Sequence, residues 1–248
     1  MENTKVAFIT GANRGLGFET ARELAEAGVH VVIGARDAKK GEAAAARLKA
    51  KGFVVSSLEF DVTRTSDHQK AADYFQEKFG RLDILVNNAG VLMDSQDAAD
   101  RSNRTSTTST EVLRQTFDTN FFAPVALTQK LLPLLKKSPA GRIVNLSSTL
   151  ASLTLHADPA SPIYNSKVFA YDTSKTALNS FTVHLAHELK DTAVKVNSAD
   201  PGWVKTDMGG PNAPLELSEG GKTSARLALL PADGPTGTFV HLDERRPW

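Results

Sequence analysis

Residues 10–17 are Thr10-Gly11-Ala12-Asn13-Arg14-Gly15-Leu16-Gly17, and they join a short apolar run to a segment with helical periodicity. Glycines at a strand-to-helix turn permit a tight bend and let backbone N–H groups approach a pyrophosphate, which the positive helix end attracts. The spacing is Gly-x-x-x-Gly-x-Gly rather than the more familiar Gly-x-Gly-x-x-Gly. A glycine triplet can form a plain turn, but this position between strand and helix favours a phosphate-binding loop.

The rest of the chain repeats the order strand, turn, helix. Short apolar runs predict strands at residues 6–9, 29–33, 53–60, 82–86, 142–146, 193–198 and 237–242. Longer periodic segments predict helices at residues 15–27, 38–50, 67–79, 110–135 and 168–190. Continuous apolar strands indicate a parallel sheet covered on both faces. We therefore expect one α/β domain over residues 1–248, a doubly wound, Rossmann-type sheet of about seven strands.

Composition excludes several classes of function. The 248 residues include 29 basic and 28 acidic side chains, so a net charge of +1 offers no general attraction to nucleic acid or membranes. The absence of cysteine excludes disulfides, thiolate zinc sites and cysteine nucleophiles. His184 and His187 do not fit a zinc-protease order, so no metal is expected. With no recognisable export signal, we expect a cytoplasmic protein.

The end of the second predicted strand bears on which dinucleotide binds. Sites that prefer NAD place an acid there for the ribose 2′-hydroxyl, whereas this strand ends Gly34-Ala35-Arg36-Asp37. Arg36, helped by Arg14 in the glycine loop, could pair with a 2′-phosphate. In the alternative, both arginines face solvent and Asp37 takes the acidic role. Two basic residues from separate loops predict NADP(H) in preference to NAD(H).

Tyr171 and Lys175 are four residues apart, so a helix places them on one face. An ammonium beside a phenol stabilises its anion, so we expect the pKa of Tyr171 to fall from its usual value near 10 toward neutrality. The pair then provides a proton donor at physiological pH. The alternative is a solvated surface pair.

Taken together, these residues resemble the short-chain dehydrogenase/reductase family over nearly the whole chain. The resemblance rests on the glycine loop and, in order, on Asp61-Val62, Asn87-Asn88-Ala89-Gly90, Asn120, Ser148, Tyr171 with Lys175, and Pro201-Gly202 followed by Thr206. Residues 34–37 and Asn120-Phe121-Phe122 are most similar to NADPH-dependent carbonyl reductases.

The resemblance implies that Tyr171 protonates the substrate carbonyl oxygen, Ser148 polarises it, Lys175 assists the tyrosine, and Asn120 takes part in a water-mediated proton relay. It implies a cofactor site formed by Gly11, Asn13, Arg14, Gly15, Leu16, Gly17, Arg36, Asp61, Val62, Asn88, Ala89, Gly90, Tyr171, Lys175, Pro201, Gly202, Val204 and Thr206. Apolar side chains for a substrate pocket are Trp203, Met208 and Leu150, together with Leu153 and the region 215–217, although for the leucines a place in the core is the favoured alternative.

Some of these assignments have structural alternatives. Asp61 could cap the following helix instead of contacting adenine. Pro124 has no N–H for the Asn120 carbonyl, which leaves that oxygen able to bind water, but it could instead mark a helix that starts near Ala123. Ser148 is chosen over Ser147 by the resemblance, and neighbouring strand side chains face opposite ways.

Three segments stand outside the alternation. Residues 94–110 are polar and predict a mobile loop, and residues 208–219 could form a lid. Residues 153–168 resemble an insertion, where Tyr164 and Lys167 are a pair that does not fit the motif. Because some carbonyl reductases with extra residues here are monomers, we expect a monomer, with a homo-oligomer as the alternative.

We therefore expect an NADPH-dependent reductase of ketones and aldehydes, acting on a small hydrophobic carbonyl compound. A 3-oxoacyl thioester reductase is the alternative, although no obvious basic patch for a carrier protein is visible. A non-enzymatic NADP-sensing protein is a further alternative, but such proteins usually lose Tyr or Lys of the central pair, and both are present.

Overall fold

The structure, a computed structural model, describes residues 4–94 and 104–248. Eight strands of this described part form one sheet in the order β3-β2-β1-β4-β5-β6-β7-β8. The strands are β1 Val6–Thr10, β2 His30–Ala35, β3 Val55–Glu59, β4 Ile84–Asn87, β5 Arg142–Leu146, β6 Lys195–Ala199, β7 Phe239–His241 and β8 Glu244–Arg245. All neighbouring pairs are parallel except β7 and β8. The predicted doubly wound sheet is confirmed, with one short antiparallel strand added at the edge.

Helices cover both faces of this sheet. They are α1 Gly15–Glu26, α2 Ala38–Lys49, α3 Thr65–Phe79, α4 Thr110–Phe117, α5 Ala123–Leu135, α6 Leu153–Ala157, α7 Phe169–Glu188, α8 Leu217–Gly220 and α9 Lys222–Ala228. The segment 110–135 is helical as predicted, but Asp118–Phe122 forms a π-helical turn between α4 and α5. There the Ala123 N–H bonds to the Asp118 carbonyl, five residues earlier.

Strand β1 shows why the apolar runs are continuous. Its five residues are all buried, and their side chains alternate between two cores. Ala7 and Ile9 pack on the side of α1, α2 and α9. Val6 and Phe8 pack on the side of α3, α5 and α7. A Cβ at Gly34 in β2 would stand 2.9 Å from the Phe8 ring, so packing requires glycine there.

The position of the site follows from the strand order. The chain builds β2 and β3 on one side of β1, and then crosses to β4 on the other side. In open α/β sheets, ligands bind beyond the carboxyl ends of the strands at the point where the order reverses. Here that point lies between β1 and β4, where residues 10–17 and Asn88-Ala89-Gly90 follow their strands.

Two of the segments outside the alternation make defined contacts in their described residues. Asp94 is 4% exposed, so the mobile loop predicted over residues 94–110 is wrong for its first residue. Residues 95–103 of that prediction lie outside the described residues. The insertion at residues 153–168 contains α6 and a series of turns, and the Thr154 N–H bonds to the Trp248 carbonyl at 2.9 Å. None of the described helices combines the length and hydropathy needed to cross a bilayer.

Candidate active site

The glycine loop is shaped by backbone conformation and by close packing. Gly11 and Gly15 have φ of +64° and +59°, a region that favours glycine. Gly17 is required for another reason. A Cβ at Gly17 would stand 2.4 Å from Asn88 Nδ2 and 2.8 Å from the Ala12 Cα. The loop is therefore pressed against the segment that follows β4.

Thr10 and Asn88 fasten these two segments together. The Thr10 hydroxyl accepts from the backbone N–H groups of Asn88 at 3.1 Å and Ala89 at 3.0 Å. The Asn88 amide donates to the carbonyls of Thr10 at 2.8 Å and Gly11 at 3.2 Å. Asn88 thus holds the glycine loop through its side chain, and its predicted contact with the cofactor stays a prediction. Thr10 was not among the predicted site residues.

The start of α1 suits an anion. Within the described chain, no side chain caps this helix and no acidic residue lies in its first turn. A Cβ at Gly15 would meet no atom within 4 Å, so the backbone there faces open space. Unpaired N–H groups at a positive helix end bind phosphate. The loop, including half-buried Asn13 and Leu16, therefore fits the pyrophosphate of a dinucleotide.

Arg36 and Arg14, the residues predicted to select NADP(H), are both exposed. Arg14 forms an ion pair with Asp207, in which the side chains are 75% and 79% exposed. Asp37 caps α2 by accepting from the Lys40 N–H at 3.0 Å. Since that carboxylate is engaged with its own helix, the alternative in which Asp37 receives the ribose is less favoured by the geometry.

Asp61 and Val62 follow the end of β3. The Asp61 carboxylate accepts from the Thr63 N–H at 3.0 Å and from its hydroxyl at 2.8 Å. Burial acts to raise the pKa of Asp61, but these hydrogen bonds and the charges of Arg36 and Arg64 lower it overall. The N-cap of α3 is Arg64, so the alternative assignment of Asp61 as that cap is wrong. The carboxylate stays ionised and near Arg36.

Tyr171 and Lys175 project from α7 toward the end of β5. Both side chains are buried, and Lys175 Nζ donates to the Leu146 carbonyl at 2.7 Å. Ser148 follows β5. Its side chain is hydrogen-bonded with the Tyr171 side chain, and this bond acts to lower the pKa of the phenol. The alternative of a solvated surface pair is therefore wrong. Ser147 is also buried, and its hydroxyl has no partner among the described residues, so the serine near Tyr171 is Ser148.

The predicted fall in the pKa of Tyr171 is wrong in direction. Burial raises this pKa to about 12, the Ser148 hydrogen bond opposes it, and the charges of Asp172 and Asp200 add to the rise. Burial also lowers the pKa of Lys175 to about 8. The ammonium lies 5.7 Å from the Tyr171 ring centroid and is hydrogen-bonded elsewhere. Desolvation, which the sequence spacing does not reveal, is the largest influence on the pKa of both groups.

Asn120 occupies the π-helical turn and faces the segment after β4. Its Oδ1 accepts from the Val91 N–H at 2.8 Å, and its Nδ2 donates to the Val91 carbonyl at 2.8 Å. A Cβ at Gly90 would stand 3.4 Å from both Asn120 Oδ1 and Lys175 Nζ, so Gly90 lies between them. Pro124 is in the first turn of α5, as the alternative expected, but the chain before it is helical too. The relay role stays a prediction.

Residues after β6 form the other wall of the site. Gly202 has φ of +76°, and a Cβ there would stand 2.6 Å from Leu215 Cδ1. Val204 is buried and bridges to Leu215, while the Thr206 hydroxyl accepts from the Gly209 N–H at 2.9 Å. The segment 208–219, predicted to be a lid, runs into α8. At the end of α8, a Cβ added to Gly220 would clash with Leu16 of α1, so the two helices are in close contact.

The three predicted substrate-pocket residues are accessible. Trp203 is 57% exposed, with its indole N–H fixed to the Gly209 carbonyl at 2.8 Å. Met208 is exposed and Leu150 is half-buried. Leu153 is exposed rather than core. Tyr164 and Lys167 lie in the insertion, with the Lys167 ammonium 4.9 Å from the Tyr164 ring centroid. Both are exposed, whereas Tyr171 and Lys175 are buried, so the two pairs have different surroundings.

Comparison with known families identifies this arrangement. Residues 5–215 match the profile of the family described as short chain dehydrogenase. The chain belongs to the short-chain dehydrogenase family. The resemblance noted from the sequence motifs is thereby confirmed.

Individual short-chain dehydrogenases extend the comparison over the whole chain. "Carbonyl reductase [NADPH] 1" of Mus musculus is 32% identical, covering 98% of this chain and 98% of that protein. "(+)-neomenthol dehydrogenase" of Capsicum annuum is 30% identical, covering 98% and 97%. The crystal structure of NADPH-bound carbonyl reductase from chicken fatty liver superposes with a TM-score of 0.82 at 25% identity, covering 99% of each chain.

This short-chain dehydrogenase also contains polar anchors that the motifs did not reveal. Asp200 is buried at the end of β6 and accepts from the Thr149 hydroxyl at 2.6 Å, the Gly202 N–H at 3.0 Å and Arg246 Nε at 3.1 Å. It ties the segments after β5 and β6 to the edge of the sheet. Its contacts with Thr149 and Arg246 span 51 and 46 positions along the chain, so no local pattern could indicate them.

Proposed function

We propose that this protein reduces ketones or aldehydes to alcohols with NADPH, and catalyses the reverse oxidation. The observation that carries the proposal is the convergence of Tyr171, Lys175 and Ser148 beside Gly90, at the reversal point of a short-chain dehydrogenase sheet. The carbonyl reductase of Mus musculus, similar over 98% of the chain, supports the same chemistry.

NADPH, when bound, would supply a hydride to the carbonyl carbon. Tyr171 supplies the proton to the carbonyl oxygen, and the new O–H bond leaves the tyrosine as its phenolate. With a pKa of about 12, the phenol keeps its proton at neutral pH. Ser148 donates a hydrogen bond to the same oxygen and stabilises the charge that develops on it.

Lys175 restores the tyrosine for the next turnover. Its pKa of about 8 leaves the amine mostly protonated at neutral pH, within reach of deprotonation. The ammonium charge stabilises the phenolate that proton transfer leaves behind. Asn120 and Lys175 both lie beside Gly90. Asn120 takes part in the water-mediated relay that returns a proton to Lys175.

NADP(H) is the preferred cofactor. The start of α1 and residues Gly11, Gly15 and Gly17 hold the pyrophosphate. Arg36 pairs with the 2′-phosphate, helped by Arg14 once it leaves Asp207. Asp61 and Val62 contact the adenine, and residues 88–90 lie against the cofactor. The nicotinamide carboxamide is bound by the residues after β6, namely Pro201, Gly202, Val204 and Thr206. The chicken-liver reductase with bound NADPH supports this assignment.

The substrate is a small hydrophobic carbonyl compound that lies against Trp203, Met208 and Leu150. The fixed indole of Trp203 forms a rigid apolar wall. We further propose that residues 1–248 act as one NAD(P)-binding domain, monomeric in the cytoplasm. A solution mass of two or more times 26.6 kDa would overturn the monomer.

The experiment follows NADPH absorbance with a panel of aryl ketones, aldehydes, diketones and acyl thioesters. We expect turnover with the hydrophobic ketones and aldehydes, and much slower turnover with NADH. Turnover of the acyl thioesters alone would replace this function with thioester reduction. An inactive protein that still binds NADPH would indicate a cofactor-sensing role.

A further inference from the structure

The first turn of α7, the helix that carries Tyr171 and Lys175, is capped from a distance. Asp94 accepts from the backbone N–H groups of Ala170 at 2.6 Å and Tyr171 at 3.1 Å, one with each carboxylate oxygen. A helix cannot satisfy these N–H groups itself. Val168, the N-cap residue, gives no side-chain cap within the described chain. A residue 76 positions earlier in the sequence therefore supplies it.

The carboxylate of Asp94 is well suited to this contact. It is buried, at 4% exposure, and a buried charge is costly unless it is paired and hydrogen-bonded. The positive end of a helix of 20 residues provides both compensations, because its N–H groups bond the carboxylate and its dipole stabilises negative charge. The contact is thus a strong link between the segment after β4 and the helix.

The peptide groups of Tyr171 are held on both sides. Its N–H is bound by Asp94, and its carbonyl accepts from the Ser174 hydroxyl at 2.7 Å. Ser174 in turn accepts from Asn120 Nδ2 at 3.0 Å. Since Asn120 also binds both polar groups of Val91, residues 91–94, the π-helical turn and Tyr171 form one hydrogen-bonded unit.

We propose that Asp94 is a positioning residue for the reduction. By holding the first turn of α7 against the segment after β4, it sets where the Tyr171 hydroxyl stands relative to Ser148 and the cofactor site. The inference rests on the proposed function, because it assigns Asp94 a role in the reaction at that site. A displacement of about 1 Å at the reacting groups lowers turnover by about a hundredfold.

The test compares Asp94→Ala and Asp94→Asn with the wild type. A matched control is Asp158→Ala, which removes an exposed carboxylate that accepts from the Ala160 N–H at 2.9 Å within the insertion. We expect kcat to fall about a hundredfold in Asp94→Ala and about tenfold in Asp94→Asn, which keeps one acceptor oxygen. The Kd for NADPH stays within about twofold, and the control keeps the wild-type kcat.

A second readout does not depend on activity. Hydrogen exchange in the peptide covering residues 168–175 becomes faster in Asp94→Ala and stays unchanged in Asp158→Ala. Unchanged kcat, unchanged exchange, or a loss of NADPH affinity as large as the loss of kcat would overturn the inference. If Asp94→Ala does not fold, Asp94→Asn is judged by the same criteria. A wild type that reduces no carbonyl compound refutes the proposed function instead, and in that case the positioning role fails with it.

Discussion

Lys175 and Arg36 are both cations of the proposed cofactor site, and they have opposite surroundings. Lys175 is buried and donates to the Leu146 carbonyl, whereas Arg36 lies exposed at the end of β2. The reacting end is thus set into the core, while the end that selects the cofactor faces solvent. Substitutions at the first should change the rate of the chemical step, and those at the second should change affinity.

The largest expected effect is at the reacting end. Tyr171→Phe keeps the ring but removes the proton donor, so kcat should fall on the order of 10³-fold. The Kd for NADPH, measured by fluorescence titration, should stay within about twofold, because the phenol contributes chemistry rather than binding. The control is Tyr164→Phe, an exposed tyrosine in the insertion. Turnover by Tyr171→Phe close to that of the control would remove the proposed mechanism.

The phosphate end should respond in affinity. Arg36→Asp replaces a cation with an anion where the 2′-phosphate is expected, so NADPH affinity should fall about a hundredfold. NADH affinity should change only a few-fold, because NADH lacks that phosphate. Lys49→Asp, at the far end of α2, controls for the change of surface charge. Equal losses of affinity for both cofactors would reject the assignment of Arg36.

The pH dependence sharpens the contrast between the two cations. Burial lowers the pKa of Lys175 to about 8, so the amine is charged below that pH and loses its charge above it. Because the charge stabilises the phenolate, kcat for reduction should fall up to about tenfold per pH unit above 8. Arginine stays charged at these pH values. Lys175→Arg, even if slow, should lack this fall, and a flat wild-type profile between pH 7 and 9 would contradict the account.

The smallest expected effect concerns the exposed pair Arg14 and Asp207. Asp207→Asn releases Arg14 for the 2′-phosphate, so NADPH affinity should rise about two- to threefold at low salt. The gain should disappear at high salt, where exposed charges are screened. Asp243→Asn, which removes the partner of Arg226 in another exposed pair, is the control. Weaker NADPH binding by Asp207→Asn would mean that Asp207 itself supports the cofactor.

Most of the fold could be predicted because its signals are local. The strand Arg142–Leu146 and the start of α1 at Gly15 are found where apolar runs and glycines place them. The short elements could not be predicted, since β8 has two residues and α8 has four. Neither length carries a periodic pattern.

The candidate site was predicted less completely. Motif residues such as Ser148, Tyr171 and Lys175 could be named because their order along the chain is distinctive. The residues that hold them, Asp94 and Ser174, could not, since Asp94 contacts α7 across 76 positions and Ser174 contacts Asn120 across 54. The direction of the Tyr171 pKa shift was missed because burial depends on the folded chain.

The most direct test of the account is transfer of deuteride from NADPH labelled at the nicotinamide C4, followed by mass spectrometry of the alcohol product. The wild type should place one deuterium on the carbinol carbon of a hydrophobic ketone, and Tyr171→Phe, with NADPH bound, should give almost no product. The central claim is that Tyr171 protonates a carbonyl reduced by NADPH. Two results would contradict it: a product that carries no deuterium from either C4 position, or labelled product formed by Tyr171→Phe as fast as by the wild type.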